Sequence, residues 1–158
     1  MPQRRQLSFK SLDDVMPEVE RLLKGHAVAG QWSLAQICNH LATTIRVTAR
    51  PAAEVGQATP EQAAMRTGFF AGGRFPEGRQ SPAPFVPRPD LNAAEEAESL
   101  VSAIERFHSA SGPFPAHPFI GPLSRDEWLA DCIADMRERG YAETGRARSN
   151  TMLVLGSR

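Results

Sequence analysis

Apolar positions recur along the chain with a helical period, in four long stretches set apart by glycine and proline. In the first, Leu12, Val15, Val19, Leu22 and Leu23 draw a one-sided stripe, which predicts a helix from about Asp14 to Lys24. Asp13 or Asp14 is the expected cap, Pro17 is tolerated in the first turn, and Gly25 is the stop. The second stretch opens at Ser33 with Gln36 three residues on, a capping box in which each residue satisfies an amide of the other. Trp32 before the cap and Ile37 after it form a hydrophobic staple. Leu34, Ile37, Cys38, Leu41 and Ile45 continue that face until Pro51.

The third long helix opens at Asn92, with Glu95 three residues later, and its stripe is Leu100, Val101, Ile104 and Phe107; Gly112-Pro113 marks its limit. A proline-rich loop over residues 113–122 then leads to a cap at Ser124, completed by Glu127. Leu123 and Trp128 repeat the staple, and Trp128, Leu129, Cys132, Ile133 and Met136 form the predicted apolar face before Gly140. Between the second and third helices, residues 51–90 hold seven of the 13 prolines and five of the 12 glycines. Thr59-Pro60-Glu61-Gln62 has the form of a cap followed by proline at the first helical position, so one short helix to about Phe70 is expected there. The rest, with Gly72-Gly73 and Pro82, Pro84, Pro87 and Pro89, reads as an extended crossover. Forty residues is long for a connection in a compact domain, which marks it as functional or partly mobile.

Four amphipathic helices joined by one long Pro/Gly-rich crossover between helices 2 and 3 predict an all-α four-helix bundle. Residues 1–140 are expected to form a single domain and 141–158 a C-terminal tail, in which Met152 to Leu155 is either a stray strand or a packed end. No repeat of solenoid length is present.

The composition of the 158 residues changes this picture little. A chain of this length buries roughly 70% of its unfolded surface, enough for one real core. The 18 basic and 18 acidic residues sum to zero, which argues against a polyanion binder working through a general basic field. The zero is a sum of unlike parts: 16 of the basic residues are Arg, and from Arg137 onward five basic residues face two acidic ones. No stretch approaches the ~20 apolar residues of a membrane span. Arg4-Arg5 resembles a twin-arginine leader, but Asp13, Asp14, Glu18, Glu20 and Arg21 occupy the place of its apolar segment. With two cysteines, outside any CxxC, and no export signal, the expectation is a cytoplasmic protein with reduced thiols.

The chain has no P-loop, no GxSxG elbow and no HExxH, so candidate chemistry falls to four histidines. His40 lies roughly 100° around the second helix from the centre of its apolar face, at the edge of the buried side. There it either reaches into a cleft between helices or sits half-exposed, bonded to a neighbouring carbonyl. His26 and His108 fall at helix ends, where the dipole favours them. Cys38 and Cys132 lie on apolar stripes, where a thiol behaves as a small hydrophobe unless a cation or metal depresses its pKa.

The segment Trp32-Ser33-Leu34-Ala35-Gln36-Ile37-Cys38-Asn39-His40-Leu41 resembles the signature of a branch of the DinB-like (YfiT-like) four-helix superfamily, domain-of-unknown-function family 1569. The likeness extends over residues 4–12 and again over 117–128, covering most of residues 4–128. It implies a bundle whose cleft holds a divalent metal, nickel or zinc, through three histidines: one matching His40, the others on the last helix. Relatives of this superfamily include metal-dependent hydrolases and thiol-dependent transferases.

After Trp128, however, the chain has no histidine; Asp131, Cys132, Asp135 and Glu138 stand where the histidines are expected. Three accounts remain open. The metal site is lost and no cofactor is bound; or Asp131 and Asp135, one turn apart, replace the histidines as ligands; or the reading frame shifts after about Trp128. The bland alternative for the two carboxylates is a solvated helix edge, with Arg139 as a surface partner of Asp135. His117 matches the family's HPF-G-L stretch and either lines the mouth of the cleft or plays a structural part in its loop. Two functional classes follow: a metal-dependent hydrolase or transferase acting on a small molecule, with an incomplete site, or a non-catalytic binding protein, in one form a homodimer. Neither takes nucleic acid or a membrane as partner.

Overall fold

The computed structural model describes residues 9–28, 32–72, 81–139 and 153–154, without the side chains of 135–139 and 153–154. The Arg4-Arg5 segment, Gly73, the Gly140 stop and the tail apart from 153–154 lie outside the described residues. Within them the chain is all-α, built from five helices: α1 (Val15–Lys24), α2 (Leu34–Thr48), α3 (Pro60–Gly72), α4 (Ala93–Ser109) and α5 (Arg125–Arg139). The helix that the crossover sequence suggests is α3, so it adds to the four long helices. None of the helices among the described residues is long and apolar enough to cross a membrane. A two-residue antiparallel ladder pairs Ala27 with Val154 and Val28 with Leu153, the stray strand that the tail pattern allowed.

The start signals act where their sequence places them. The Ser33 hydroxyl accepts from the Gln36 amide at 3.2 Å, and the Gln36 side chain accepts from the Ser33 amide at 2.9 Å. Thr59 and Gln62 repeat that exchange at the head of α3, as do Ser124 and Glu127 at α5. Asn92 caps α4 through its side-chain oxygen, which accepts from Ala94 and Glu95. At α1 Asp14 stands at the expected cap position, but its side chain makes no bond to the helix's own amides. A 3-10 turn, Leu12–Asp14, precedes the helix, and Asp14 reaches back to accept from the amides of Lys10 at 2.7 Å and Ser11 at 3.1 Å. Ser11 is the cap of that 3-10 turn.

The core lies chiefly between α2 and α4. Leu34, Ile37, Cys38, Leu41 and Ile45 of α2 are buried against Ala97, Leu100, Ile104 and Phe107 of α4. Each fully buried Leu, Ile or Phe contributes about 1.5–3 kcal/mol, so this seam supplies much of the driving force. Polar bonds fix its register: Asn39 donates to Glu96 at 2.9 Å, and Arg46 donates to the Ser99 carbonyl at 3.0 Å. Leu12 of the 3-10 turn and Val15, Val19 and Leu22 of α1 add a further buried face, while Leu23 and Val101, read as stripe residues, stand exposed.

The remaining helices join by specific ties. α3 seats Phe69 in the core and sends Arg66 to the Pro122 carbonyl and to Glu127. The guanidinium of Arg125, the first residue of α5, donates to the Phe107, His108 and Ala110 carbonyls at the end of α4.

Candidate functional site

His40 projects from the middle of α2 and is 4% exposed. Its edge position would leave it half-exposed on an isolated helix pair. Two things cover it: the Trp32 ring, 5.2 Å away centroid to centroid, and a strap of crossover that includes the 3-10 turn Ala83–Phe85. Nδ1 of His40 donates to the Phe85 carbonyl at 2.7 Å. A carbonyl only accepts, so Nδ1 carries a proton, and in the neutral ring the lone pair lies on Nε2. Four residues earlier, the Gln36 amide nitrogen donates to the Pro87 carbonyl of the same strap at 3.4 Å.

His117 is set in a tight turn of the proline-rich loop. Its backbone exchanges hydrogen bonds with Gly121, both at 2.9 Å, and the turn closes because Gly121 adopts φ +74°, a conformation that side chains disfavour. A Cβ there would also meet that of Ala58 at 3.0 Å. Inside the turn, Nδ1 of His117 accepts from the amides of Phe119 at 3.1 Å and Ile120 at 3.3 Å. Two donors on Nδ1 place the neutral ring's hydrogen on Nε2, the opposite tautomer to that of His40. Nε2 faces Oδ1 of Asp131 at 3.7 Å, a close electrostatic approach longer than a hydrogen bond. The indole of Trp128 lies 5.2 Å from the His117 ring and donates to the Pro115 carbonyl at 3.1 Å.

Asp131 is therefore not on a solvated edge. It is 4% exposed, and α5 turns Trp128, Asp131, Cys132 and Ala134 inward while Leu129 and Ile133 are only partly covered. The buried face is rotated from the apolar stripe toward the side on which the loop lays His117. The structure thus brings His117 and Asp131 together, and holds His40 through the strap. The side chains of Asp135 and Glu138 lie outside the described residues. His26 and His108 stay at helix ends: His26 donates from Nδ1 to the Leu22 carbonyl at 2.8 Å, and His108 meets Asp13 at 3.0 Å on the exposed surface.

The family model for Protein of unknown function (DUF1569) matches residues 1–136, which include the Trp32–Leu41 segment, the His117 loop and Asp131. The chain belongs to this family. The match runs past Trp128 to Met136, so the likeness to the family does not stop at Trp128. No curated protein and no solved structure matches it.

The donor set of this DUF1569 protein fits a metal in part. His40 has the arrangement of a metal-binding imidazole, with its far nitrogen anchored on a backbone carbonyl. His117 does not, because its Nδ1 lone pair is taken by two amides and its Nε2 carries the proton. Among the described residues, no three His, Cys, Asp or Glu side chains come together as a group able to hold a metal. What sequence reasoning missed is the part played by the crossover: the Phe85 and Pro87 carbonyls lie more than forty residues from their α2 partners. The only local signal was the length of that connection.

Proposed function

We propose that the chain is a DinB-like bundle related to metal-dependent hydrolases and thiol-dependent transferases, and that it keeps at His40 one imidazole of their divalent-metal site. Asp131 and Asp135, from successive turns of α5, are the carboxylates proposed to complete a reduced site for nickel or zinc. The observation that carries this reading is the buried Nδ1–H of His40 donating to the Phe85 carbonyl. That bond fixes the ring's orientation and directs the basicity of the neutral ring to Nε2, as outer-sphere carbonyls do for ligating histidines. A divalent metal supplies a Lewis acid that lowers the pKa of bound water or a small thiol. The chain's own contribution is to orient the imidazole and to exclude bulk water with Trp32 and the strap.

Metal content of the purified protein after incubation with nickel or zinc tests the proposal. Stoichiometric metal that disappears in His40→Ala and weakens in Asp131→Asn is the expected result. Metal-free wild-type protein, with no rise in melting temperature on adding either ion, overturns it. Stability alone does not discriminate, since His40→Ala also removes a buried hydrogen bond.

A second reading, a non-catalytic binding protein acting as monomer or homodimer, is favoured by the pairing of Asp131 with His117, which gives that carboxylate a partner inside the fold. Metal-free protein that sediments as a homodimer would select this reading.

A further inference from the structure

Two side chains of α2, His40 and Gln36, one helical turn apart, donate to carbonyls of the crossover strap. The Gln36 amide works in two directions. Its oxygen accepts from the Ser33 amide at 2.9 Å, closing the capping box. An N–H can only donate, so this bond settles which end of the amide is oxygen and turns the nitrogen toward the Pro87 carbonyl. Between the two grips lies only Val86; the 3-10 turn Ala83–Phe85 ends at the first of them, and the amides of Phe85 and Val86 donate to the Pro82 and Ala83 carbonyls. The carbonyl that faces His40 is thus presented by a short, internally bonded piece of chain that Gln36 holds two residues downstream.

From this geometry we infer that Gln36 is a positioning residue for His40: by holding Pro87 it keeps the Phe85 carbonyl on Nδ1 and so fixes the tautomer of the imidazole. The inference deepens the metal reading of His40 and rests on it for its functional meaning, while its structural content stands apart. Gln36 does not touch His40's partner; it acts through the strap. The capping box explains Gln36 as an acceptor but leaves its donor end without a role in the helix, and that donor end is what the strap uses.

The experiment compares Gln36→Glu, which keeps the capping acceptor and removes the donor, with Ser33→Ala, which weakens the cap and keeps the grip. The ring nitrogens of His40 are observed by nitrogen-15 NMR at a pH where the ring is neutral. In the wild type Nδ1 carries the proton; in Gln36→Glu the proton is expected to distribute between the two nitrogens, and in Ser33→Ala it stays on Nδ1. Gln36→Met, close in volume, serves as a second variant should the charged one fail to fold. An unchanged tautomer in the Gln36 variants overturns the inference, as does an equal change in Ser33→Ala. Zinc titration of the same proteins separates the two claims. An affinity lower by about 10–100-fold in the Gln36 variants is expected of a lost outer-sphere support. A wild type that binds no zinc while its tautomer still depends on Gln36 overturns the metal reading and leaves the positioning role standing.

Discussion

The Cys38 thiol lies wholly inside the α2–α4 seam, and burial pushes its pKa from 9.0 up to about 12, with the Glu96 carboxylate adding a smaller push in the same direction. Nucleophilicity belongs to the thiolate, so at neutral pH this side chain is a piece of core. The folded state holds the proton more tightly than the unfolded chain. The thiol's contribution is therefore complete below pH 9 and is lost as pH rises toward 12, by at most roughly tenfold in the folding constant per pH unit. Native protein is expected to resist thiol-directed alkylation at Cys38 at pH 8, and denaturant melts between pH 8 and 11 should show a shallower alkaline decline in Cys38→Ala than in the wild type. Rapid alkylation of Cys38 in the native state would contradict that burial. His40 and His117 show at the same scale how backbone decides chemistry: a carbonyl on one Nδ1 and two amides on the other give two buried imidazoles opposite tautomers.

Among the helices, α5 shows most clearly what a terminus has to settle. Glu127 accepts from the Ser124 amide at 2.8 Å and pairs with Arg66 of α3, so one carboxylate closes the cap and ties two helices together. The Ser124 backbone hydrogen bond, helped by Arg66, holds its pKa below the ordinary 4.5. Its stabilising effect is present above pH 4.5 and is lost as pH falls below that value. Glu127→Ala is expected to cost about 1 kcal/mol in urea denaturation at pH 7, the usual size of a lost cap. Glu127→Gln, which can still cap, should cost less, and both variants should flatten the acid limb of the stability profile.

The capping residues were legible in the sequence because an exchange between residue i and i+3 needs no knowledge of the fold: Ser33 with Gln36, Thr59 with Gln62, Ser124 with Glu127. What the spacing does not announce at the start of α1 is the 3-10 turn before it, across which the Asp14 side chain works backward. The face that α5 buries was not legible either. Leu129 and Ile133 pull the apolar stripe one way, while the inward turn of Asp131 depends on where the loop puts His117. The burial of His40 had the same long-range origin, a carbonyl 45 residues away.

Taken whole, the molecule is organised on the α2–α4 seam, with Phe107 near the C-terminal end of α4. That ring is 1% exposed, stacks on Phe114 at 6.0 Å and lies under the Arg125 guanidinium at 5.2 Å. Phe107→Ala removes a large side chain from three contacting elements at once and is expected to cost about 3–5 kcal/mol. Against a total stability of about 5–15 kcal/mol, that loss leaves a markedly weakened fold, measurable as a lower urea midpoint. A midpoint shift under 1 kcal/mol equivalent would mean the ring is not the keystone its contacts describe.

Arg125 carries a consequence for any attempt to dissect the protein. Its guanidinium serves three carbonyls at the end of α4 while its own backbone begins α5. A cleavage in the proline-rich loop therefore yields two fragments that are each unfinished: one ends in carbonyls stripped of their donor, the other begins with a cation whose receptor has gone. Lysine could not restore the join, since a single ammonium lacks the planar fork that spans several acceptors. The two halves are separable in sequence but share one terminus in space.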